Sequence, residues 1–163
     1  MHDHEKEPIG HALHVLDTTM RRYIDTYSHK KEHENLTGTN TWVIQFIADH
    51  KDGPVYLRDI ERRFGITRST ASKVVDMLVR NGFVERHTGE TDPRLRRLTL
   101  TEKSENLLAD IRADHEAMEA VLTKGFTQNE KETMLTYLRR AKINVDAAFA
   151  EKQQKKERSG ADG

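Results

Sequence analysis

The amino-acid sequence predicts a mainly α-helical chain with one short β-hairpin in its middle third. Apolar residues recur every three to four positions through both ends of the chain, a period typical of helices that bury one face. The period changes to the alternation of strands only between residues 83 and 100. The 163 residues include three prolines and nine glycines, which favours long helices over a turn-rich β-sandwich and suits about one domain.

The N-terminal segment, residues 1–38, is predicted to hold one long helix. Its apolar positions run from Ile9 to Tyr27 and form a seam wide enough to pack against another helix. The pattern is then lost, and the segment ends at Gly38.

The second segment, residues 39–101, is predicted to open with three helices. The first begins at a cap supplied by Thr39 or Asn40. The next two are joined by a tight corner at Gly65, and Thr67 is expected to cap the second of them. A helix, a short glycine-containing turn and a further helix form the helix-turn-helix arrangement.

A β-hairpin is expected directly after these helices. Residues 83–86 and 95–100 are short strand-like runs, and the turn between them contains Gly89 and the Asp92-Pro93 pair. Two strands joined by a basic loop after a helix-turn-helix predict a winged helix-turn-helix. The fold class is therefore mainly α with a small β-wing.

The third segment, residues 102–150, is predicted to hold two further helices, the second opened by a capping box over residues 127–130. Residues 151–163 are expected to be a disordered tail. A winged unit of about 60 residues offers too little surface to cover the apolar stripes at both chain ends. We therefore expect the flanking helices to be dimerisation helices of a homodimer, with a monomeric bundle as the alternative.

The net charge is zero, from 27 basic and 27 acidic residues, but the charge is unevenly distributed. Residues 55–101 carry 10 basic and 6 acidic side chains (net +4), whereas residues 1–54 and 102–163 have net charges of −3 and −1. A basic middle between mildly acidic ends suits a nucleic-acid-binding protein with separate partner-binding helices. Chance clustering on a solvated surface is the alternative.

Several functional classes are excluded by residues that the sequence lacks. Without cysteine it has no disulfide framework, thiolate zinc site or cysteine nucleophile. We find no phosphate-binding loop or nucleophile elbow, so no enzyme is expected. No apolar run reaches the roughly 20 residues of a membrane span, and the N-terminus has no apolar signal core. We expect a cytoplasmic protein with no membrane partner and no cofactor.

The predicted DNA contacts lie on the outer face of the helix that Thr67 caps and on the wing. Small hydroxyl residues let a helix approach base edges closely, and an arginine at a wing tip can enter an A·T-rich minor groove. Asp92 is expected to support the wing by holding the Arg94 guanidinium. The predicted DNA-binding residues are Arg68, Ser69, Thr70, Ser72, Lys73, Arg94, Arg96 and Arg97.

Three runs, residues 64–72, 81–86 and 92–103, resemble the MarR (multiple-antibiotic-resistance regulator) family. The resemblance implies a homodimer that binds a pseudo-palindromic operator in double-stranded DNA, usually as a repressor released by a small, often phenolic or anionic ligand. The sequence departs from the family at two positions. Tyr56 stands where a Ser or Thr cap is common, and Ser104 replaces the usual glycine after Lys103.

Five residues lie where members of the family commonly bind ligands, and they are candidates for binding a small aromatic or anionic effector. An aromatic stripe at helical spacing is, however, more often part of the core. These residues are His11, Tyr23, Tyr27, Trp42 and Phe46. Nine histidines leave a zinc-sensing regulator as an alternative, since His11/His14 and His29/His33 have helical spacing. His115 is expected to be a hydrogen-bonded core or interface histidine. No metal site is predicted, and a sequence-indifferent DNA-binding protein and a protein-binding winged helix are further alternatives.

Overall fold

A computed structural model describes residues 7–27, 36, 38–50, 53–88 and 95–160. The helices and strands in these ranges are α1 (Ile9–Tyr27), α2 (Thr39–Asp49), β1 (Val55–Tyr56), α3 (Leu57–Phe64), α4 (Arg68–Arg80), β2 (Val84–Thr88), β3 (Arg96–Leu100), α5 (Glu102–Leu122) and α6 (Gln128–Gly160). The chain forms two compact units, Met1–Met118 and Glu119–Gly163. None of the helices in the described ranges combines the length and the apolar character needed to cross a membrane.

The first unit is built around one apolar core. Ile44 of α2, Ile60 of α3 and Leu78 of α4 are fully buried in it. The face of α4 opposite the predicted DNA contacts packs into this core, because Ala71 and Val75 are fully buried as well as Leu78. α4 is therefore anchored by one face, and its opposite face is left exposed.

The wing is a three-stranded antiparallel sheet with the strand order β1-β3-β2. Strands β2 and β3 confirm the predicted hairpin. Strand β1 was not predicted, because two residues are too few to show an alternating pattern. It forms where Val55 pairs with Leu98 of β3, and both side chains are buried.

Two of the predicted helix caps are confirmed and one is wrong. The Thr67 hydroxyl accepts a hydrogen bond from the Thr70 amide at 3.2 Å. In the capping box the Thr127 amide donates to a Glu130 carboxylate oxygen at 2.7 Å. Neither Thr39 nor Asn40 caps α2, because the cap position is Gly38, whose φ of 54° lies in the left-handed region that glycine adopts without strain.

The second unit contains all of α6, which is longer than the sequence predicted. Residues 151–160 continue the helix, so the expectation of a disordered tail is wrong for them. The segment was assigned to a tail because it offers no apolar face. Glu, Lys, Gln and Arg nevertheless favour helix without needing burial. None of the α6 side chains that the structure describes is buried.

Candidate nucleic-acid interface

The outer face of α4 presents most of the predicted DNA-binding residues. Arg68, Ser69, Thr70 and Lys73 are all exposed, and Ser72 is half-buried. The Thr70 hydroxyl is bonded to the Thr67 hydroxyl at 2.9 Å, so Thr70 also serves the cap. The first turn of α4 therefore offers hydroxyls and a guanidinium on one accessible surface.

An ion pair connects α4 to the wing. Arg86 of β2 donates through Nη2 to Asp76 Oδ1 at 2.6 Å, and the Ser72 hydroxyl donates to Asp76 Oδ2 at 3.2 Å. The hydrogen bond from Arg86 is the main reason that the pKa of Asp76 is lowered. The carboxylate on this face is thus paired with a cation, which reduces its repulsion of a phosphate. Sequence reasoning missed Arg86, because its partner lies ten positions earlier in another element.

A basic cleft of about 360 Å³ lies between α3, α4 and the wing. Four of its lining side chains are arginines, and one acidic residue stands among them. These charged residues are Arg58, Arg68, Arg86, Arg96 and Glu61. The cleft brings the predicted contacts Arg68 and Arg96 to one surface, together with two cations that the sequence analysis did not assign.

The structure separates Arg96 from Arg97. Successive side chains of a strand point to opposite faces, and Arg96 lines the cleft beside α4 while donating to the Thr88 hydroxyl at 2.6 Å. Arg97 pairs in register with Tyr56 and His87 and lines a different cleft of about 260 Å³ near the end of α2. The two arginines, predicted as one cluster, therefore face different surroundings. The alternation of side chains along a strand could have predicted this separation from the sequence, because the two arginines are adjacent.

Arg94 and Asp92 lie outside the described residues. The insertion of Arg94 into a minor groove and its support by Asp92 therefore stay predictions.

Among the predicted effector residues, Trp42 makes the most specific contact. Its ring stacks on His115 of α5 with the centroids 3.6 Å apart and the planes 8° from parallel. His115 Nε2 is hydrogen-bonded to the Thr41 hydroxyl at 3.0 Å, which confirms a hydrogen-bonded, half-buried histidine. Burial lowers the pKa of His115, and the nearby Asp114 acts in the opposite direction. Phe46 packs against the core and meets the edge of Phe64.

The other predicted effector residues lie on α1. His11 is exposed and is hydrogen-bonded through Nδ1 to a Glu7 carboxylate oxygen at 2.7 Å. Tyr23 is partly exposed, and the Tyr27 side chain lies outside the described part of the chain.

The histidine pairs gain no support as a metal site. In the ranges that the structure covers, no group of three or more His, Cys, Asp or Glu side chains is placed to hold a metal ion. The pair His29/His33 falls outside those ranges.

Comparisons with known proteins agree with this geometry. The model of the MarR family matches residues 34–95, which contain α2, the helix-turn-helix and the wing strands β1 and β2. The winged-helix segment of this chain is therefore similar to the MarR family. The "Uncharacterized HTH-type transcriptional regulator YybA" of Bacillus subtilis (strain 168) is 24% identical over 115 residues, which are 71% of this chain and 77% of that protein.

Solved MarR-family structures extend the similarity to the flanking helices. The regulator MarR from Oenococcus oeni PSU-1 has a TM-score of 0.71 at 25% identity, covering 82% of this chain and 98% of that one. S. aureus MepR, solved as a complex with DNA, has a TM-score of 0.73 at 18% identity, and the match covers 85% of this chain and 96% of that one. Bordetella bronchiseptica BpsR, whose DNA binding is regulated by 6-hydroxynicotinic acid, has a TM-score of 0.73 at 19% identity. The match covers 87% of this chain and 98% of that one.

Similarity to MarR-family regulators bears on two broad questions. The predicted fold class, a winged helix-turn-helix with flanking helices, is confirmed. MarR-family transcription regulators are non-enzymatic DNA-binding proteins, which is in line with the absence of a catalytic motif from the sequence.

Proposed function

We propose that this protein is a sequence-specific transcriptional regulator of the MarR type that binds a pseudo-palindromic operator as a homodimer. The observation that carries the proposal is the shared basic surface of α4 and the wing, where Arg68, Lys73 and Arg96 accompany small hydroxyl side chains. In winged helix-turn-helix proteins the second helix enters the major groove through its N-terminal residues. The exposed and unobstructed first turn of α4 suits that role.

The apolar surfaces of α1 and α6 support a homodimer. Ile9 and Leu13 are exposed about one turn apart on α1, and Leu138, Val145 and Phe149 are exposed along one side of α6. Exposed apolar side chains aligned over several helical turns mark surfaces that are covered in the assembled protein. Two copies related by a two-fold axis would bury such stripes and would present two α4 helices to successive major grooves.

We further propose that the protein is a repressor released by a small aromatic or anionic ligand. The named ligand of BpsR, 6-hydroxynicotinic acid, is an aromatic acid of this kind. The Trp42–His115 stack offers a flat aromatic surface, and Trp42 keeps 50% of its area exposed. A ligand that binds one dimer conformation better would weaken DNA binding by changing the spacing of the two α4 helices.

Fluorescence anisotropy tests the DNA-binding proposal. The full chain is titrated into labelled DNA from its own upstream region and into a scrambled duplex of equal length, at one salt concentration. We expect tighter binding to the native DNA by roughly a thousandfold or more, as for specific regulators.

Equal and steeply salt-dependent affinities would instead indicate a sequence-indifferent DNA-binding protein. Absence of binding to both duplexes, with and without added Zn²⁺, would contradict DNA recognition altogether. Addition of an aromatic acid to the native complex tests the ligand proposal separately, because an unchanged affinity across such acids would contradict it.

A further inference from the structure

Three backbone carbonyls, those of residues 81, 82 and 83, lie in the turn that follows α4. In this turn Gly82 has a left-handed φ of 73°, and the Phe83 amide donates back to the Leu78 carbonyl at 2.8 Å. Phe83 is buried, and its carbonyl accepts a hydrogen bond from the Thr101 amide at 3.2 Å.

Side chains from the first turn of α5 supply a donor to each of these carbonyls. Lys103 Nζ donates to the Asn81 carbonyl at 2.9 Å, and the Thr101 hydroxyl donates to the Gly82 carbonyl at 2.7 Å. The Ser104 hydroxyl donates to the Phe83 carbonyl at 2.5 Å. We call Thr101, Lys103 and Ser104 the α5 clamp.

The clamp is buried at its centre. Ser104 is fully buried and Phe83 is 2% exposed, so their hydrogen bond is shielded from water. The Lys103 ammonium also lies 4.2 Å from the centroid of the Phe83 ring, close enough for a cation–π contact. Three hydrogen bonds and this contact within four residues leave the end of α4 little freedom to pivot on α5.

We propose that the α5 clamp positions α4 for operator binding by fixing its angle to α5. This rests on the proposed function, because a pseudo-palindromic operator is bound only when two α4 helices are correctly spaced. α5 follows the wing in the chain and is itself followed by α6. A rigid joint at the start of α5 makes the orientation of α4 depend on that of α5. A loose joint would let each α4 reach half-sites at other spacings.

The test uses operators of three spacings. An operator is first selected from a random duplex pool with the wild-type full-length protein, and versions with one base pair added or removed between the half-sites are then made. One base pair moves a half-site by about 3.4 Å along the DNA. The readout is the ratio of affinities for the selected and altered spacings, because loss of folded protein affects both affinities equally.

We expect Lys103→Met, Thr101→Val and Ser104→Ala each to lower this ratio by roughly threefold to tenfold, the factor associated with loss of one hydrogen bond. Thr101→Ser keeps the hydroxyl and should restore the wild-type ratio. Lys103 is exposed, so Lys103→Met tests the proposal even if the buried Ser104→Ala variant does not fold. The matched control is Ile60→Val, which weakens the same core without touching the clamp.

Clamp variants that keep the wild-type ratio, while losing affinity equally on all spacings, would overturn the proposal and leave the clamp a purely stabilising role. Wild-type protein that shows no preference for any duplex would contradict the proposed function instead.

The lack of cysteine allows a direct second measurement. In DNA-free protein, Ser69→Cys carries a single spin label at the far end of α4, about 18 Å along the helix from the clamp. The distance distribution between the two labels of the dimer should broaden when Lys103→Met is added. An equally narrow distribution in both proteins would overturn the proposal.

Discussion

Apolar residues at helical spacing are buried in the winged-helix segment and exposed in the flanking helix α6. In the segment from α2 to β3, periodic apolar residues such as Ile44, Ile60 and Leu78 are fully buried. In α6 the periodic apolar residues are exposed, with Val145 at 68% and Phe149 at 58%. Helical periodicity therefore predicts that one face of a helix will be covered. It does not distinguish a face covered by the same chain from a face covered by another chain.

The largest expected effect is the loss of dimerisation when charged residues are placed in the exposed apolar stripe of α6. Leu138, Val145 and Phe149 share one side of α6, because seven and eleven residues are nearly whole numbers of turns. The double variant Val145→Asp, Phe149→Asp should raise the dimer Kd by roughly a thousandfold or more, since a buried side chain of this size contributes about 1.5–3 kcal/mol in each protomer. Analytical ultracentrifugation at micromolar concentration checks this.

The control for the stripe is Thr136→Asp on the opposite side of α6, where an exposed residue gains one negative charge, half of what the double variant gains. It should leave the dimer intact. Circular dichroism should show the helices of the first unit retained in both proteins. A double variant that stays dimeric would place the interface elsewhere and remove the distinction between covered and uncovered helices.

The next prediction compares the two faces of the wing. Arg96→Ala and Arg97→Ala remove the same charge from adjacent positions, so long-range attraction for DNA falls equally. We expect Arg96→Ala to weaken operator binding by about 1–3 kcal/mol, the usual loss for a groove contact, and Arg97→Ala to cost less than about 1 kcal/mol. Anisotropy titrations on the selected operator measure both, and equal losses would show that DNA contacts both faces.

The smallest expected effect concerns His115, at the α2–α5 contact. Burial lowers its folded-state pKa below the ordinary 6.5, so its contribution to stability is complete above pH 6.5 and is lost as the pH falls through the lower folded value. His115→Gln should therefore flatten the decline of Tm between pH 7 and pH 5. Trp42 is the single tryptophan of the chain, so its emission should titrate below pH 6.5 in the wild type and stay constant in the variant.

Local signals in the sequence predicted much of the fold. The Thr67 cap and the Thr127–Glu130 capping box depend on residues three positions apart, and both are present. The corner at Gly65 was predicted from the glycine alone, and its φ of 62° explains why glycine suits it. Interactions within one turn of the chain are visible in the sequence because their partners are fixed by spacing.

The features that the sequence did not predict join residues distant along the chain. Arg86 reaches Asp76 across ten positions, and Ser104 reaches the Phe83 carbonyl across twenty-one. Ser104 was noticed as a departure from the family pattern, yet its buried hydrogen bond depends on where α5 packs. Most of the proposed DNA-binding surface could be anticipated from residue types on one helix face, whereas the joint between α4 and α5 could not.

The exposed apolar stripe of α6 also bears on how operator occupancy depends on cellular protein level. If only the dimer binds DNA, then below the dimer Kd the concentration of active protein rises with the square of the protomer concentration. A threefold change in expression would then change operator occupancy about ninefold at low saturation. The side chains of Val145 and Phe149 would thus set the concentration below which operator occupancy responds steeply to the abundance of the protein.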